Sequence, residues 1–384
     1  MRVLIIHNQL WAHYKSKLFS EISARMKIEH PDSQMLVAHI ALREASRSGM
    51  QDEKSFPYDY PYKVLFQKNL DEVSFSERLT ALFQTFNTFK PTVLNVTGWF
   101  DWAQVILMAY ARMKGVKIVL SSESSLADHN RSGIKEKIKK QIVGMADAFF
   151  CFGKSSVDYL LHLGMDSNKI KVNNAAVIDE DIIRAHFDQA KGQIPPNTDS
   201  QTRRYTFVYV GRLAPEKNLQ MLLGAFLNLL NQEPIAACWD LLFVGDGPSR
   251  NDLEQIVQNS NFANHVKFAG GFPWYQVPEW LAKSDVLVLP STSEPWGLVV
   301  NEAMVCNMPV IVSETCGCAP DLVLNDVNGF TFDPTKQRKL EDALLFFMLN
   351  PSRIEEMGIK SKNLVERFAS KNVASEMVRC YNAL

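Results

Sequence analysis

The stretch Val286-Leu-Val-Leu-Pro-Ser-Thr-Ser-Glu-Pro-Trp-Gly-Leu-Val-Val-Asn-Glu-Ala-Met304 indicates a strand, a loop and a helix in direct succession. The apolar run 286–290 predicts a short buried strand. The chain then turns through Pro295 and Gly297, and the segment 298–306 is compatible with a helix. Strands that alternate with helices in this way are typical of a parallel sheet covered by helices on both faces.

Two carboxylates of this stretch, Glu294 and Glu302, have seven residues between them. Glu294 lies in the loop at the carboxyl end of the predicted strand, and Glu302 lies about one and a half turns into the following helix. The amides of Gly297, Leu298 and Val299 begin that helix, where amides lack intrahelical acceptors and bind anions. Carboxylates beside free amides suit a ligand with both hydroxyl and phosphate groups, so we expect a nucleotide sugar at this position.

The length of 384 residues is too great for one ordinary core and indicates two domains. Strand and helix patterns alternate on both sides of a polar segment with two prolines, 185–204, which we interpret as a linker. The domains are then 1–184 and 205–369, with a last helix, 370–384, that packs back on the first. We predict an α/β fold of two doubly wound, Rossmann-like domains facing a cleft, where such folds bind ligands. The segment 39–62 is predicted to be an irregular exposed loop.

The composition argues against several other classes of protein. The formal net charge of −1 argues against a nucleic-acid partner. None of the six cysteines forms a Cys-x-x-Cys pair, so we expect reduced thiols in a cytoplasmic protein and no metal site. The first residues, Met1-Arg-Val-Leu-Ile-Ile-His7, predict a buried strand rather than a signal peptide. No run approaches the ~18 apolar residues that a membrane-spanning helix needs.

Two cations follow the first strand of the second domain, in the loop Gly211-Arg-Leu-Ala-Pro-Glu-Lys217. Gly211 permits a tight turn, after which Arg212 and Lys217 lie near the start of the next helix and face the predicted cleft. An arginine fork and a lysine point charge can hold a pyrophosphate there. The alternative is a solvated charge pair, but cations at a helix start oppose the helix dipole, so we favour phosphate binding.

Glycine turns follow the next two strands as well. Gly245 lies in Phe243-Val-Gly-Asp-Gly247, and Phe272 ends the segment Gly270-Gly-Phe272. We expect Gly245 to contribute backbone to the donor site, and the second turn to meet a nucleobase edge with Phe272 beside the ring. Tight turns that bind nothing are the alternative for both.

The two cations, the glycine turn at 245–247 and the Glu294–Glu302 pair together resemble the retaining GT-B glycosyltransferases of the "glycosyl transferases group 1" family. The resemblance is close over residues 205–335. It implies transfer of a hexose from a nucleotide-diphosphate sugar to a hydroxyl of a saccharide, lipid-linked or small-molecule acceptor. It also implies retention at the anomeric carbon, and neither a metal nor another cofactor.

The resemblance further implies a role for each residue of the donor-binding second domain. Glu302 would accept hydrogen bonds from the ribose hydroxyls, and Glu294 would lie at the hydroxyls of the donor sugar. The amides of 297–299 would hold sugar and phosphate. Arg212 and Lys217 would neutralise the leaving diphosphate, because its developing charge is stabilised by preorganised cations and amides.

The acceptor-side domain departs from the family in the loop after its first strand. Many members have a glycine pair there, whereas this chain has His7-Asn-Gln-Leu-Trp-Ala-His-Tyr-Lys15. His13, Tyr14 or Lys15 could take over part of the donor contact. The alternative is that these side chains serve packing and solvation.

A second departure concerns the strand end where many members have a histidine near the reacting sugar. This chain has Glu123 at about that position, and Glu123 could orient or deprotonate the acceptor hydroxyl. His129, six residues later, is the other candidate. Trp99 and Asp101 follow another strand, where an aromatic ring could stack on an acceptor sugar; packing in the core is the alternative for Trp99.

The segment 130–142 predicts a basic amphipathic helix, with Ile134, Ile138 and Ile142 along one stripe among lysines. The stripe could face the core, or the helix could contact an anionic membrane that carries a lipid-linked acceptor. We therefore expect a cytoplasmic protein, either without membrane contact or with peripheral contact through this helix.

Two other functions remain open from the residues alone. One is a GT-B phosphorylase or a nucleotide-sugar epimerase. The other is an inactive nucleotide-sugar-binding sensor or subunit, which the missing glycine pair near the N-terminus would explain. The donor base, the sugar and the acceptor are not specified by these motifs.

Overall fold

The computed structural model describes residues 1–10, 13–43, 59–123, 134–194 and 203–384. The chain forms two compact units. Unit 1 comprises Met1–Asp179 and Arg367–Leu384, and unit 2 comprises Glu180–Glu366.

Short apolar runs form a parallel sheet in unit 1. Among the described residues its strands are β1 (Arg2–Gln9), β2 (Gln34–Arg43), β3 (Tyr62–Asn69), β4 (Val93–Thr97), β5 (Lys117–Ser122), β6 (Ala148–Cys151) and β7 (Ile170–Val172). They lie in the order β3-β2-β1-β4-β5-β6-β7, and every pairing is parallel. All four residues of β6 are buried, as expected for a strand that helices cover on both faces.

Helices cover this sheet, and their ends are specified locally. The described helices of unit 1 are α1 (His13–Glu29), α2 (Phe75–Phe89), α3 (Trp102–Met113), α4 (Ile134–Val143), α5 (Lys154–His162) and α14 (Ser370–Ala383). Ser74 and Glu77 form a reciprocal capping box that starts α2. Residues of α2, α3, α4 and α5 build the main apolar core with the sheet, and α1 packs against α14.

A buried hydrogen bond attaches the last helix to the sheet of unit 1. The Tyr381 hydroxyl donates to Asn95 Oδ1 at 3.0 Å, and both side chains are buried. The Tyr381 ring also meets Phe150 of β6 edge to face, with 5.5 Å between ring centroids. The helix α14 therefore belongs to unit 1, although it follows the whole of unit 2 in the sequence.

Unit 2 contains a second parallel sheet. Its strands are β8 (Tyr205–Val210), β9 (Trp239–Val244), β10 (Val266–Gly270), β11 (Val286–Leu289), β12 (Val310–Ser313) and β13 (Gly329–Phe332), in the order β10-β9-β8-β11-β12-β13. Its helices are α6 (Glu180–Gln193), α7 (Leu219–Gln232), α8 (Arg250–Gln258), α9 (Val277–Leu281), α10 (Leu298–Val305), α11 (Ala319–Leu322), α12 (Gln337–Leu349) and α13 (Arg353–Val365).

The strand order of each sheet reverses beside its first strand. The reversal lies between β1 and β4 in unit 1, and between β8 and β11 in unit 2. In such sheets the loops after the two flanking strands diverge and leave a place for a ligand at the carboxyl edge. The two sheets confirm the predicted α/β class of doubly wound, Rossmann-like units.

The structure differs from the sequence prediction around the proposed linker. Residues 185–193 belong to α6, and the boundary between the units lies at Asp179 and Glu180 rather than after 184. Ile183 and Phe187 are buried one turn apart on α6, a short apolar pattern within a largely polar helix. Residues 195–202 lie outside the described residues.

The prediction also missed edge strands. The segment 39–62, predicted to be irregular, begins within β2 and ends at the first residue of β3. β3 is an edge strand with exposed Lys63 and a polar Lys68, so it lacks the continuous apolar run of a central strand. Within the described part of the chain, no helix is long and apolar enough to cross a membrane.

Candidate active site

The loops after β8 and β11 meet beside the reversal point of the unit 2 sheet. There the Lys217 ammonium lies 2.6 Å from Glu294 Oε2, and the two side chains are only 16% and 18% exposed. A charge-assisted bond in a partly buried position is short and strong. The structure thus brings together two residues that the sequence assigns separately to the donor site.

A second contact joins the same two loops through the backbone. The amide of Thr292 donates to the carbonyl of Glu216 at 2.9 Å. The Glu216 carboxylate pairs with Arg212, whose side chain is 63% exposed. Arg212 therefore keeps its guanidinium available to solvent, while Lys217 is held against Glu294.

The start of α10 presents free amides. Gly297 has φ of 97° and ψ of 63°, a left-handed conformation that favours glycine, and a Cβ there would lie 2.7 Å from a methyl group of Leu289. Among the described residues, none accepts a hydrogen bond from the amides of Gly297, Leu298 or Val299. Three unpaired donors at the positive end of a helix form an anion-binding position.

The loop after β12 supports the loop that carries Glu294. The amide of Gly317 donates to the carbonyl of Glu294 at 2.9 Å, and the amide of Cys318 donates to the carbonyl of Trp296 at 3.1 Å. A Cβ on Gly317 would lie only 1.9 Å from the carbonyl oxygen of Pro295. The sequence analysis did not single out Gly317; a glycine between two cysteines, Cys316 and Cys318, is the signal that could have indicated this close approach.

The glycine turns after β8 and β9 pack against each other. A Cβ on Gly245 would lie 1.9 Å from the carbonyl oxygen of Gly211, and the amide of Gly211 donates to the carbonyl of Val244 at 2.9 Å. The amide of Gly245 is itself bonded to the carbonyl of Gly270 at 2.8 Å. Gly211 and Gly245 therefore serve backbone packing that shapes the site, and the Gly245 amide already has a partner.

The carboxyl group of Glu302, on α10, has no hydrogen-bond or ion-pair partner among the described residues. The residue as a whole is partly exposed, yet burial of its carboxyl group raises the pKa to about 7. The unpartnered carboxyl of Glu302 is available to accept hydrogen bonds from hydroxyl groups of a ligand.

Phe272 is half-buried and packs against Trp280, with 5.0 Å between ring centroids.

In unit 1 the structure pairs two residues that the sequence proposes for different tasks. Lys15 Nζ lies 3.0 Å from Glu123 Oε1, at side-chain exposures of 8% and 40%. Tyr14 lies beside them, with Lys15 Nζ 5.6 Å from its ring centroid. The side chain of His13, which begins α1, and the whole of His129 lie outside the described residues.

Trp99 and Asp101 have structural roles in unit 1. The Trp99 ring is 5% exposed and packs on Tyr159, so its faces are not available for stacking on a sugar, and the packing alternative holds. Asp101 caps α3 by accepting from the amide of Ala103 at 3.0 Å, and it pairs with Arg78 at 3.3 Å. Asp101 is therefore committed to the helix start rather than free for an acceptor.

The basic helix α4 only partly follows the predicted stripe. Ile142 is buried, but Ile138 is 44% exposed and lies between the exposed lysines Lys137 and Lys140. The Ile134 side chain and residues 130–133 lie outside the description. No group of three or more histidine, cysteine, aspartate or glutamate side chains that could hold a metal ion occurs among the residues described.

Comparison with known proteins relates residues 191–364 to a family of enzymes. A family model for "Glycosyl transferases group 1" matches residues 191–364. The GDP-mannose-dependent alpha-(1-6)-phosphatidylinositol monomannoside mannosyltransferase of Mycolicibacterium smegmatis is 30% identical over 167 residues, 42% of this chain and 43% of that protein. The D-inositol 3-phosphate glycosyltransferase of Streptomyces bingchenggensis is 25% identical over 312 residues, 75% and 65% of the two chains. The chain spans about half the length of the curated relatives it matches, at 43%, 49% and 47% for three of them.

Solved structures show the same architecture along the whole chain. Anabaena Alr3699/HepE in complex with UDP has a TM-score of 0.73 at 18% identity, with both chains fully covered. Sucrose-phosphate synthase from Thermosynechococcus elongatus has a TM-score of 0.71 at 17% identity, covering 100% of this chain and 98% of the other. At such identities the likeness concerns the fold. Residues 191–364 therefore match the glycosyl transferases group 1 family, and the two parallel-sheet units have the fold of GT-B glycosyltransferases.

Proposed function

We propose that this protein is a retaining hexosyltransferase that moves a hexose from a nucleotide-diphosphate sugar to a hydroxyl acceptor. The observation that carries the proposal is the Lys217–Glu294 pair in one unit with the unpaired amides of 297–299. The cation suits the charge of a donor's diphosphate, the carboxylate suits its sugar hydroxyls, and the free amides suit its phosphate oxygens. The family of residues 191–364 supports the same reaction class.

The donor diphosphate is proposed to bind to the amides of 297–299 with Arg212 and Lys217 as its cations. Arg212 is exposed enough to bind a phosphate. It now pairs with the carboxylate of Glu216, and breaking this ion pair near the surface costs little free energy. When the bond between the anomeric carbon and the phosphate oxygen breaks, negative charge develops on that oxygen. Fixed cations and amides stabilise this charge without reorganisation, so we propose that the reaction needs no metal.

Glu294 and Glu302 are proposed to recognise the donor's hydroxyl groups. Glu294 keeps one carboxylate oxygen on Lys217 and offers the other to the sugar. Glu302 accepts from the ribose hydroxyls, which would satisfy a carboxyl group that the protein leaves without a partner. In the transfer, the acceptor oxygen bonds to the anomeric carbon on the face that the phosphate leaves, which retains the configuration, and the proton of the acceptor hydroxyl passes to a base for which Glu123 is the candidate.

Substitution of the central pair tests this function. Lys217→Met and Glu294→Gln should each lower turnover of the donor by about 100-fold or more, the range that follows loss of one preorganised charge partner. Thermal unfolding should remain cooperative in both variants. Lys267→Met is the matched control, because Lys267 is an exposed surface lysine of the same unit that pairs with Asp240. Near-normal turnover in both site variants would contradict the proposal.

The donor itself can be identified by a thermal-shift panel of nucleotides and nucleotide sugars. A ligand that binds only the folded state raises the apparent stability. The panel includes UDP-glucose and GDP-mannose, since Alr3699/HepE was solved with UDP-glucose and the Mycolicibacterium relative is named for GDP-mannose. Transfer of the sugar to a hydroxyl separates this function from a phosphorylase, which releases a sugar phosphate, and from an epimerase, which releases an isomer. Binding without any turnover would indicate a sensor.

We also propose a cytoplasmic location with peripheral contact to an anionic membrane. The specific observation is the exposed Ile138 between Lys137 and Lys140, together with an apolar outer face on α3, where Trp102 is 57% and Ile106 is 39% exposed. Apolar and aromatic side chains beside lysines are typical of helices that lie in a membrane interface. Sedimentation with phosphatidylglycerol vesicles should decrease in Trp102→Ser/Ile106→Ser. It should be unchanged in Ile359→Ser, which removes an exposed apolar residue of unit 2.

A further inference from the structure

Lys15 is a buried cation at the carboxyl edge of the unit 1 sheet. It lies in the first turn of α1, and its side chain is 8% exposed. Burying an ammonium is costly unless it is paired, and a cation in the first turn of a helix also opposes the helix dipole. Neither solvation nor helix stability therefore explains a lysine at this position.

The surroundings of Lys15 hold its ammonium in one direction. Its Nζ lies 4.4 Å from the ring centroid of Phe152, a cation–π contact, and 3.0 Å from Glu123 Oε1. Lys15 also lines a cavity of about 20 Å³, together with His7, Thr97 and Ser121. A cavity of this size holds about one water molecule and is too small for a sugar or a phosphate.

Glu123 is the accessible member of the pair. It directly follows β5, and its side chain is 40% exposed, five times the exposure of Lys15. Lys15 follows β1, and β4 lies between these two strands, so the pair spans the point where the strand order reverses. Ligands of doubly wound sheets bind at this point. Of the two side chains at this point, the carboxylate is therefore the one that a ligand can contact.

We propose that Lys15 is a positioning residue that holds Glu123 so that its second oxygen, Oε2, accepts a hydrogen bond from the reacting acceptor hydroxyl. This inference rests on the transferase function proposed above and assigns the acceptor side of that function to unit 1. Among the described residues, Lys15 is the one side chain that contacts the Glu123 carboxylate, through Oε1. A direct contact of Lys15 with the donor phosphate is the competing role, and burial beneath Glu123 disfavours it.

The test compares Lys15→Met, Lys15→Arg, Glu123→Gln and the double variant Lys15→Met/Glu123→Gln. Lys17→Met is the matched control, because Lys17 lies on the same helix and pairs with Glu21 at 2.9 Å with a side chain that is 12% exposed. The donors are UDP-glucose and GDP-mannose. Glycerol serves as the hydroxyl acceptor, and water is the competing acceptor in every assay.

We expect Lys15→Met and Glu123→Gln each to lower transfer to glycerol by about 10- to 100-fold, the range for losing an oriented acid–base partner. Donor affinity by calorimetry should stay within about twofold of the unmodified protein, since in this proposal both residues act on the acceptor hydroxyl and neither binds the donor. Lys15→Arg should recover part of the transfer, and Lys17→Met should leave it unchanged. The double variant should be no worse than Glu123→Gln alone, because Lys15 acts through Glu123.

Three results would overturn the proposal. Multiplied losses in the double variant would show that Lys15 acts independently of Glu123. Donor affinity lowered by Lys15→Met but kept by Glu123→Gln would show a phosphate contact instead. Equal loss of transfer and of thermal stability in Lys15→Met, Lys15→Arg and Lys17→Met would show a general structural role. A folded, unmodified protein that neither binds nor turns over these donors would contradict the proposed transferase function, and this inference with it.

Discussion

At the scale of single residues, the site combines satisfied and unsatisfied carboxylates. Glu294 is bonded to Lys217, whereas Glu302 has no side-chain partner among the residues described, and burial raises its pKa to about 7. A carboxyl group with that pKa is about half protonated in neutral solution. The ionised form accepts from hydroxyls at both oxygens, whereas the protonated form has an O–H donor on one of them, so occupancy of the site should be linked to pH.

This linkage gives a prediction for donor affinity. The role proposed for Glu302 requires its ionised form to accept from the ribose hydroxyls, so the dissociation constant of the nucleotide sugar should rise about tenfold from pH 8 to pH 6. The phosphate diesters of a nucleotide sugar do not titrate in this range. Calorimetry at both pH values, on the unmodified protein and on Glu302→Gln, measures the effect. The variant should bind more weakly at pH 8 and show a flat pH dependence; an equal slope in both proteins would refute the role of Glu302.

The residues of the donor site could be predicted from sequence to the extent that each follows its own strand. Lys217 and Glu294 both lie just past carboxyl strand ends, so parallel pairing of β8 with β11 is enough to bring them together. Contacts between loops are different, because no local pattern specifies them. The pairing of Lys15 with Glu123 and the support of Glu294 by Gly317 depend on backbone paths that only the folded chain shows.

At the scale of elements, prediction succeeds where burial is continuous. β8, β9, β11 and β12 have buried residues on both faces, so each is an unbroken apolar run in the sequence. Three of the elements that the sequence analysis did not assign are exposed or short: β3 at a sheet edge, β7 with three residues, and the polar helix α6. The hydrophobic pattern weakens where one face meets solvent, and these elements were missed for that reason.

The contact between the loops after β11 and β12 gives a second prediction. Gly317→Ala should lower the free energy of unfolding by about 1–3 kcal/mol, the usual range for overpacking, because its Cβ would lie 1.9 Å from the Pro295 carbonyl oxygen. It should also weaken donor binding, because the displaced loop carries Glu294. Gly192→Ala is the control, since a Cβ on Gly192, within α6, meets no atom within 4 Å.

Chemical denaturation and calorimetry with the donor check both halves of this prediction. Gly192→Ala should leave donor affinity unchanged and raise stability by about 0.5–1 kcal/mol, as alanine does for glycine inside a helix. If Gly317→Ala were as stable as Gly192→Ala, the loop after β12 would accommodate a Cβ at position 317 without a clash with the Pro295 carbonyl oxygen. The prediction of loop support for Glu294 would then be wrong.

At the scale of whole units, the two halves of the chain should respond differently to acid. Unit 1 buries two histidines in contact, His7 and His39, with 5.5 Å between ring centroids. Burial, and then the charge of Lys15, lowers the pKa of His7 to about 3, and burial followed by the charge of His7 lowers the pKa of His39 to about 3. His39 Nε2 and the Tyr60 hydroxyl lie 3.1 Å apart, a bond that suits a neutral ring.

The sign of the pH effect follows from these lowered values. In the unfolded chain the histidines titrate near their ordinary pKa of about 6.5, so between pH 6.5 and 3 the unfolded state binds more protons than the folded state. Their contribution is fully present above pH 6.5 and is lost as the pH falls toward 3. Linkage gives a loss of the order of 2 kcal/mol per histidine between pH 7.5 and pH 5.

Scanning calorimetry at pH 7.5 and pH 5 tests this third prediction. The unmodified protein should lose stability in the transition of unit 1, and His39→Gln, which cannot titrate but can still bond the Tyr60 hydroxyl, should lose about half as much. His162→Gln on the exposed end of α5 is the control and should behave like the unmodified protein. A ring adds to the proton uptake on unfolding only if it is neutral when folded and charged when unfolded. An equal loss of stability in His39→Gln and in the unmodified protein would therefore show that His39 is not neutral in the folded state.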